Sequence, residues 1–166
     1  MRSGRPQAQV FSAANRGMDF EAALALQHAA YLRAGKAAII KLPTPWVPHW
    51  SGGKVSGAHV AETAAADFVG CLHGGRAVAV EAKSTNIDRL SLSRIRHPQR
   101  KYLDVVDDLG GVSLLVVYWR KLGEVWAIPW ADVRSGRSVR GRSVAWHPSS
   151  VYRVKGMDYL AALGLD

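Results

Sequence analysis

The chain has 166 residues, 48% of them hydrophobic and 21% charged, with a formal net charge of +9. That length and apolar content exclude a disordered polypeptide and suit one folded domain with its own core, which the order of elements below makes α/β or α+β. The positive excess favours a polyanionic partner, and the lone Cys71 excludes an intrachain disulfide and argues against a thiolate zinc site.

In chain order, residues 1–15 read as a flexible basic arm with no apolar signal core. No apolar run reaches the ~20 residues of a membrane span, and no amphipathic helix carries a basic polar face. The expected compartment is the cytoplasm. Residues 19–34 predict a helix, with Asp19 as N-cap, Gly35 as its stop, and Phe20, Ala23, Leu24, Gln27 and Tyr31 at helical spacing. "KAAIIKLP" predicts a short strand ended by Pro43. Residues 43–57 hold three prolines and three glycines with Trp46, His49, Trp50 and Lys54, and read as neither helix nor buried strand.

Residues 84–100 are polar and basic, with Arg89, Arg94, Arg96 and Arg100. "HPQRKYLDVVDDLGG" predicts a helix starting near Pro98 and ended by Gly110 and Gly111. "VSLLVVYWR" and "EVWAIPW" predict buried strands, with Trp119, Trp126 and Trp130 in the core. "RSGRSVRGR" predicts a basic loop, and "VKGMDYLAALGLD" a C-terminal helix. This order implies a mixed central sheet flanked by helices.

The chemistry concentrates in residues 67–83, "DFVGCLHGGRAVAVEAK". A turn at His73-Gly74-Gly75, with glycine at a positive φ, pairs Leu72 with Arg76, Val69 with Ala79 and Asp67 with Glu81. Alternation then places Asp67, Glu81 and Lys83 on one face. Two directly opposed carboxylates repel unless something positive lies between them. Mg²⁺ suits carboxylate oxygens and water, and Lys83 could stabilise charge on a phosphate. This describes a metal-dependent phosphodiester hydrolysis site. The same spacing also fits a solvent-facing hairpin edge with ordinary surface charges. Cys71 is expected to be buried in this hairpin. The six histidines (His28, His49, His59, His73, His97, His147) show no metal-ligating spacing.

Asp67, a 13-residue spacer and then Glu81-Ala82-Lys83 resemble the PD-(D/E)XK nuclease pattern. "NRGMDFE" (15–21), "KLPTP" (41–45), "VEAKST" (80–85) and "HPQ" (97–99) resemble, in order, motifs of the RecU-type Holliday junction resolvases, and the "VVYW" and "EVWAIPW" strands follow where that family has strands. The resemblance runs from about residue 15 to residue 133. It implies a PD-(D/E)XK core in which Asp67, Glu81 and Gln99 ligate Mg²⁺, with Mn²⁺ able to substitute. Lys83 would stabilise the transition state, and Glu21 on the first helix would assist. It also implies a homodimer that nicks four-way DNA junctions symmetrically.

Two departures stand out. Many members carry threonine two residues before the metal-binding aspartate; here that position is Ala65, with Thr63 two residues further back. The interval between Pro45 and Asp67 is short, as a phage-encoded version with a reduced stalk would have it. The expected organisation is an arm at 1–15 and one nuclease domain at 16–166 with a stalk-like insertion at about 43–62. Expected DNA contacts are Arg16, Lys54, Arg89, Arg94, Arg96, Arg100 and Lys101 on phosphates, with Trp46 and Trp50 stacking on unpaired bases. Arg134, Arg137, Arg140 and Arg142 form a second basic cluster. The rival readings are a broader repair or restriction-type nuclease, and a basic protein that binds branched DNA without cutting it.

Overall fold

The structure, a computed structural model, describes residues 20–43, 46–60, 65–147 and 150–165. Asp19, Arg16, Thr63 and the N-terminal arm lie outside the described residues, as does the side chain of Trp46.

Helix α1 (Phe20–Arg33) buries Phe20, Ala23, Leu24, His28 and Tyr31, one stripe at helical period. Gln27, expected on that stripe, is half-buried, and its neighbour His28 takes the inward position. Strand β1 (Ala37–Lys41) follows. Strands β2 (Trp46–Ser51) and β3 (Lys54–Val60) make a two-stranded sheet of their own, exposed along residues 48–58. The proline- and glycine-rich stretch is therefore a hairpin. Its described side chains have no core to face, so apolar alternation gave no strand signal.

Strands β4 (Phe68–Leu72) and β5 (Ala77–Thr85) pair antiparallel in the expected register: Phe68 faces Val80, Val69 faces Ala79, and Gly70 faces Val78. The Leu72 N–H donates to the Arg76 carbonyl at 2.8 Å, and the turn between them holds Gly74 and Gly75 at φ 81° and 88°, which L side chains rarely adopt. One pair further on, the same register sets Asp67 against Glu81. Gly70 serves a second purpose, since a Cβ there would lie 2.0 Å from the Ala38 carbonyl oxygen of β1.

The chain continues through β6 (Arg89–Ser91) and α2 (His97–Asp108) into β7 (Val112–Trp119), which lies parallel to β5. Strand β8 (Glu124–Pro129), helix α3 (Trp130–Arg134), β9 (Ser143–Ala145), β10 (Arg153–Val154) and α4 (Tyr159–Ala162) complete it. The main sheet has six strands in the order β1-β4-β5-β7-β8-β10, while β6 and β9 pair separately. One core packs α1 and α4 on Val78, Val80, Ala82, Leu114 and Val116. The other packs α2 and α3 on Ala79, Leu115, Val117, Trp119 and Trp126. The central strands are covered on both faces, so β7 reads as a continuous apolar run. Trp119, Trp126 and Trp130 are buried, as expected.

Two expectations are corrected. Cys71 is exposed: alternation commits Phe68 and Leu72 to the first core and turns Cys71 to the other face. The predicted C-terminal helix is a single turn. Its first residues are taken by β10, where Val154 pairs with Val125, and the turn begins only where Asp158 accepts the Ala161 N–H at 3.1 Å.

Candidate active site

Asp67 lies at the mouth of β4 and Glu81 and Lys83 on β5, the strand with covered neighbours on both sides. Alternation sends Val80 and Ala82 into the first core and leaves Glu81 and Lys83 on the second face. The Ala82 N–H donates to Asp67 Oδ2 at 2.8 Å, which anchors one carboxylate oxygen to the backbone between the other two residues. Lys83 Nζ donates to Glu81 Oε1 and lies 3.8 Å from Asp67 Oδ2. One ammonium thus sits between two carboxylates.

Glu81 is fully buried, and its Oε2 has no hydrogen-bond partner. Burial pushes its carboxyl up to about 7, with Lys83 pulling down and the Asp67 charge pushing up. Asp67 is also raised by burial, opposed by Lys83 and the Ala82 N–H, with a further upward push from Glu21. Glu21 is therefore close enough for its charge to be felt, although its carboxylate is ion-paired with Lys41 at 2.7 Å.

An unpartnered buried carboxylate oxygen beside a second carboxylate is a costly arrangement unless a cation completes it. The two acids fit a hard divalent ion, which takes oxygen ligands and keeps several waters. Among the described residues, no three His, Cys, Asp or Glu side chains gather as a metal cage, so two carboxylates are the anionic core of the site.

The remaining predicted residues make contacts of their own. Gln99 is buried and its Oε1 accepts the Arg96 N–H at 2.9 Å, so it closes the start of α2; a carboxamide oxygen keeps a second lone pair for another partner. Arg96 contributes that backbone cap. Arg100 donates to the Ile95 carbonyl at 2.8 Å and to that of Leu92, which makes it an internal cross-link. Arg94 donates to the Ser84 carbonyl at 3.0 Å, at the end of the strand that carries Lys83. Lys54, Arg89 and Lys101 are exposed, and Trp50 is 67% exposed at the tip of the β2–β3 hairpin. In the second basic cluster, Arg134 pairs with Asp108 at 2.7 Å and Arg137 with Asp132 at 2.7 Å. Those two guanidiniums are committed to acids, which spacing along the sequence did not reveal.

Sequence reasoning missed the Ala82 amide as the clamp on Asp67; only the register discloses it. It also missed Glu124, whose Oε2 accepts the Trp146 indole N–H at 2.8 Å.

The family model for Recombination protein U matches residues 15–142. The Holliday junction resolvase RecU of Streptococcus sanguinis is 27% identical over 132 residues, covering 75% of this chain and 66% of that protein. The Holliday junction resolvase RecU of Staphylococcus saprophyticus is 28% identical over 140 residues, covering 80% and 67%. The chain thus spans about two thirds of the length of these relatives. Among solved structures, Archaeoglobus fulgidus Hjc, a Holliday junction resolvase, is 16% identical with a TM-score of 0.49, covering 85% of this chain and 98% of that one. With its family match running from the first helix through the acid pair to β6 and beyond, the chain belongs to the Recombination protein U family.

Proposed function

We propose that this protein is a divalent-metal-dependent, structure-specific endodeoxyribonuclease that nicks four-way DNA junctions symmetrically as a homodimer. The observation that carries the reading is the buried Glu81 carboxylate, with one oxygen on Lys83 and the other unpartnered, opposite Asp67. Family membership and relatives named as Holliday junction resolvases support the substrate.

Asp67 and Glu81 would hold Mg²⁺, with Mn²⁺ as a substitute. Such an ion, when bound, polarises a phosphoryl oxygen and lowers the pKa of water. The Ala82 amide fixes the Asp67 carboxylate, and burial among Ala79 and Leu115 keeps bulk water from Glu81. Lys83 holds a proton-bearing cation beside the reacting phosphate, where it stabilises developing negative charge. Glu21 adds negative charge at the rim. Gln99, with one lone pair in use, is the weakest candidate for a ligand.

The net charge of +9 gives DNA binding a steep salt dependence. A two-fold dimer matches a substrate of near two-fold symmetry. Recognition rests mainly on backbone and shape, and work on DNA places the protein in the cytoplasm. The β2–β3 hairpin, with Trp50 and Lys54, is the stalk that meets the junction.

The test is incubation with a labelled four-way junction, with and without Mg²⁺, beside a linear duplex of equal length. Paired symmetric nicks on the junction alone are expected. Cutting of both substrates would point to a broader nuclease, and binding without cutting in Mg²⁺ or Mn²⁺ to a non-catalytic junction binder.

A further inference from the structure

A second cavity, outside the acid pair, opens where β5 and β7 end. It measures about 200 Å³ and is lined by Asn86, Ile87, Asp88, Trp119, Lys121, Leu122 and Trp146. Against roughly 30 Å³ for a water molecule in the bulk, that is room for a planar heterocycle. Three features show a built site. Trp119, only 1% exposed, closes the inner wall of the cavity as a rigid apolar surface. Trp146 is locked in place: its indole donates to Glu124 at 2.8 Å, its backbone N–H donates to the Asp88 carbonyl at 2.8 Å, and Arg153 holds Glu124 at 3.2 Å. Ile87 and Leu122 present apolar surface to solvent at 61% and 43% exposure.

Position supplies the occupant. Trp119 is the register partner of Thr85, and Val117 of Lys83, in the parallel β5–β7 pair. Register partners share a sheet face, so Trp119 lies on the face of Glu81 and Lys83. Two residues along the strand and one strand across puts its Cα roughly 8 Å from that of Lys83. A DNA strand whose phosphate meets Lys83 carries its nearest bases to this cavity. A nucleobase has the flat apolar faces that Trp146, Ile87 and Leu122 can sandwich.

We infer that this cavity is a base slot: it receives one unstacked nucleobase beside the scissile phosphate, stacked on Trp146 and packed between the exposed Ile87 and Leu122. The inference rests on the nuclease reading for its orientation. It gives a device for choosing which phosphodiester is cut, because only a nucleotide that can leave the helical stack fills it, and unpaired or junction-proximal bases do so at least cost.

The test places 2-aminopurine, in turn, at each nucleotide flanking the cut in a four-way junction, with Ca²⁺ to allow binding without cleavage. One position should change its fluorescence with wild-type protein. That signal should vanish in Trp146→Ala and in Ile87→Ser, and return in Trp146→Phe, which keeps a stacking ring. Ile87 is exposed, so its variant folds even if Trp146→Ala does not. An abasic site at the responding position should weaken wild-type binding roughly 5- to 150-fold, the range of one lost base–aromatic stack, and should weaken Ile87→Ser little further. Independent, multiplying losses, or no responding position, overturn the slot. A protein that gives the positional signal but never cuts in Mg²⁺ or Mn²⁺ keeps the slot and loses the nuclease reading. One that cuts with no positional signal keeps the nuclease and loses the slot, and one that does not bind DNA loses both.

Discussion

Replacing Glu81 by Gln should change how stability depends on pH, in a direction the buried carboxyl sets. Burial holds Glu81 at about 7 against an ordinary value of 4.5. Between those values the folded protein keeps a proton that the unfolded chain releases. Its contribution is therefore full below pH 4.5 and lost as pH rises to 7. At 1.36 kcal/mol per pKa unit, the ceiling is roughly 3 kcal/mol. For a domain of this size that corresponds to about 6–12 °C in Tm. His28 works in the opposite sense. Burial lowers it from 6.5 to about 4, so its contribution is full above pH 6.5 and lost as pH falls to 4. Over the shared window His28 opposes Glu81, while Asp67, also raised by burial, acts in the same sense as Glu81. Glu81→Gln removes the Glu81 contribution and should turn the slope of stability against pH between 4 and 6.5 upward relative to wild type. Mg²⁺ competes with the proton for the same carboxylate. It should raise wild-type Tm strongly above pH 7, little below pH 5, and hardly at all in Glu81→Gln. Scanning calorimetry across that range, with EDTA or with excess Mg²⁺, reads every term. Parallel wild-type and Glu81→Gln profiles, or a Mg²⁺ increment of equal size at both ends, would refute the reasoning.

Lys83→Met should leave junction binding in Ca²⁺ close to wild type and reduce the single-turnover nicking rate by about 100- to 1,000-fold; a fall in affinity with unchanged rate would assign Lys83 to binding alone. Gly70→Ala should destabilise the protein by about 1–3 kcal/mol in urea unfolding, because its methyl group would meet the Ala38 carbonyl at 2.0 Å and push β1 from the sheet; an unchanged midpoint would show that β1 yields freely. Arg89→Ala should lower the slope of log affinity against log salt by about 1 without moving Tm. Arg100→Ala should lower Tm instead, since its guanidinium binds the Ile95 and Leu92 carbonyls; equal behaviour of the two arginines in both assays would contradict the distinction.

The central hairpin was legible because three local rules agreed. Two glycines at the turn fix the register, alternation fixes the faces, and opposed acids are tolerable only beside a positive charge. The long strands β5 and β7 were legible for a related reason, since strands covered on both faces must be apolar throughout. The β2–β3 hairpin was not, because its described side chains bury against nothing and alternation carries no information there. The basic residues were the least legible. Arg100 and Arg89 are eleven residues apart in a uniformly basic stretch, yet one ties a loop together and the other is exposed. Charge along a chain does not say which carbonyls lie nearby once it folds. The same holds for Arg134, whose acids Asp104, Asp107 and Asp108 come from α2, with Asp108 26 residues earlier in the chain.

The two acids of the site are treated oppositely by the fold, and this difference bears on how the site works. Asp67, at a strand mouth, has one oxygen satisfied by the Ala82 amide and remains partly open to solvent. It can exchange partners at small cost. Glu81, fully buried on a central strand beside Asp67, has an oxygen that no protein donor satisfies among the described residues. Leaving such a group uncompensated costs about 1–3 kcal/mol or more, and an apolar side chain of the same shape would pack there with no such loss. A core position that violates the rule for stable packing, next to a lysine and a second acid, is where local consistency is given up for function. The deficit is also a driving force: it favours whatever brings positive charge to that oxygen, a proton below about pH 7 or a cation above it. The Ala82 amide holds Asp67 in place, and Lys83 lies between the two acids, so positive charge and both carboxylates converge at one point on the sheet.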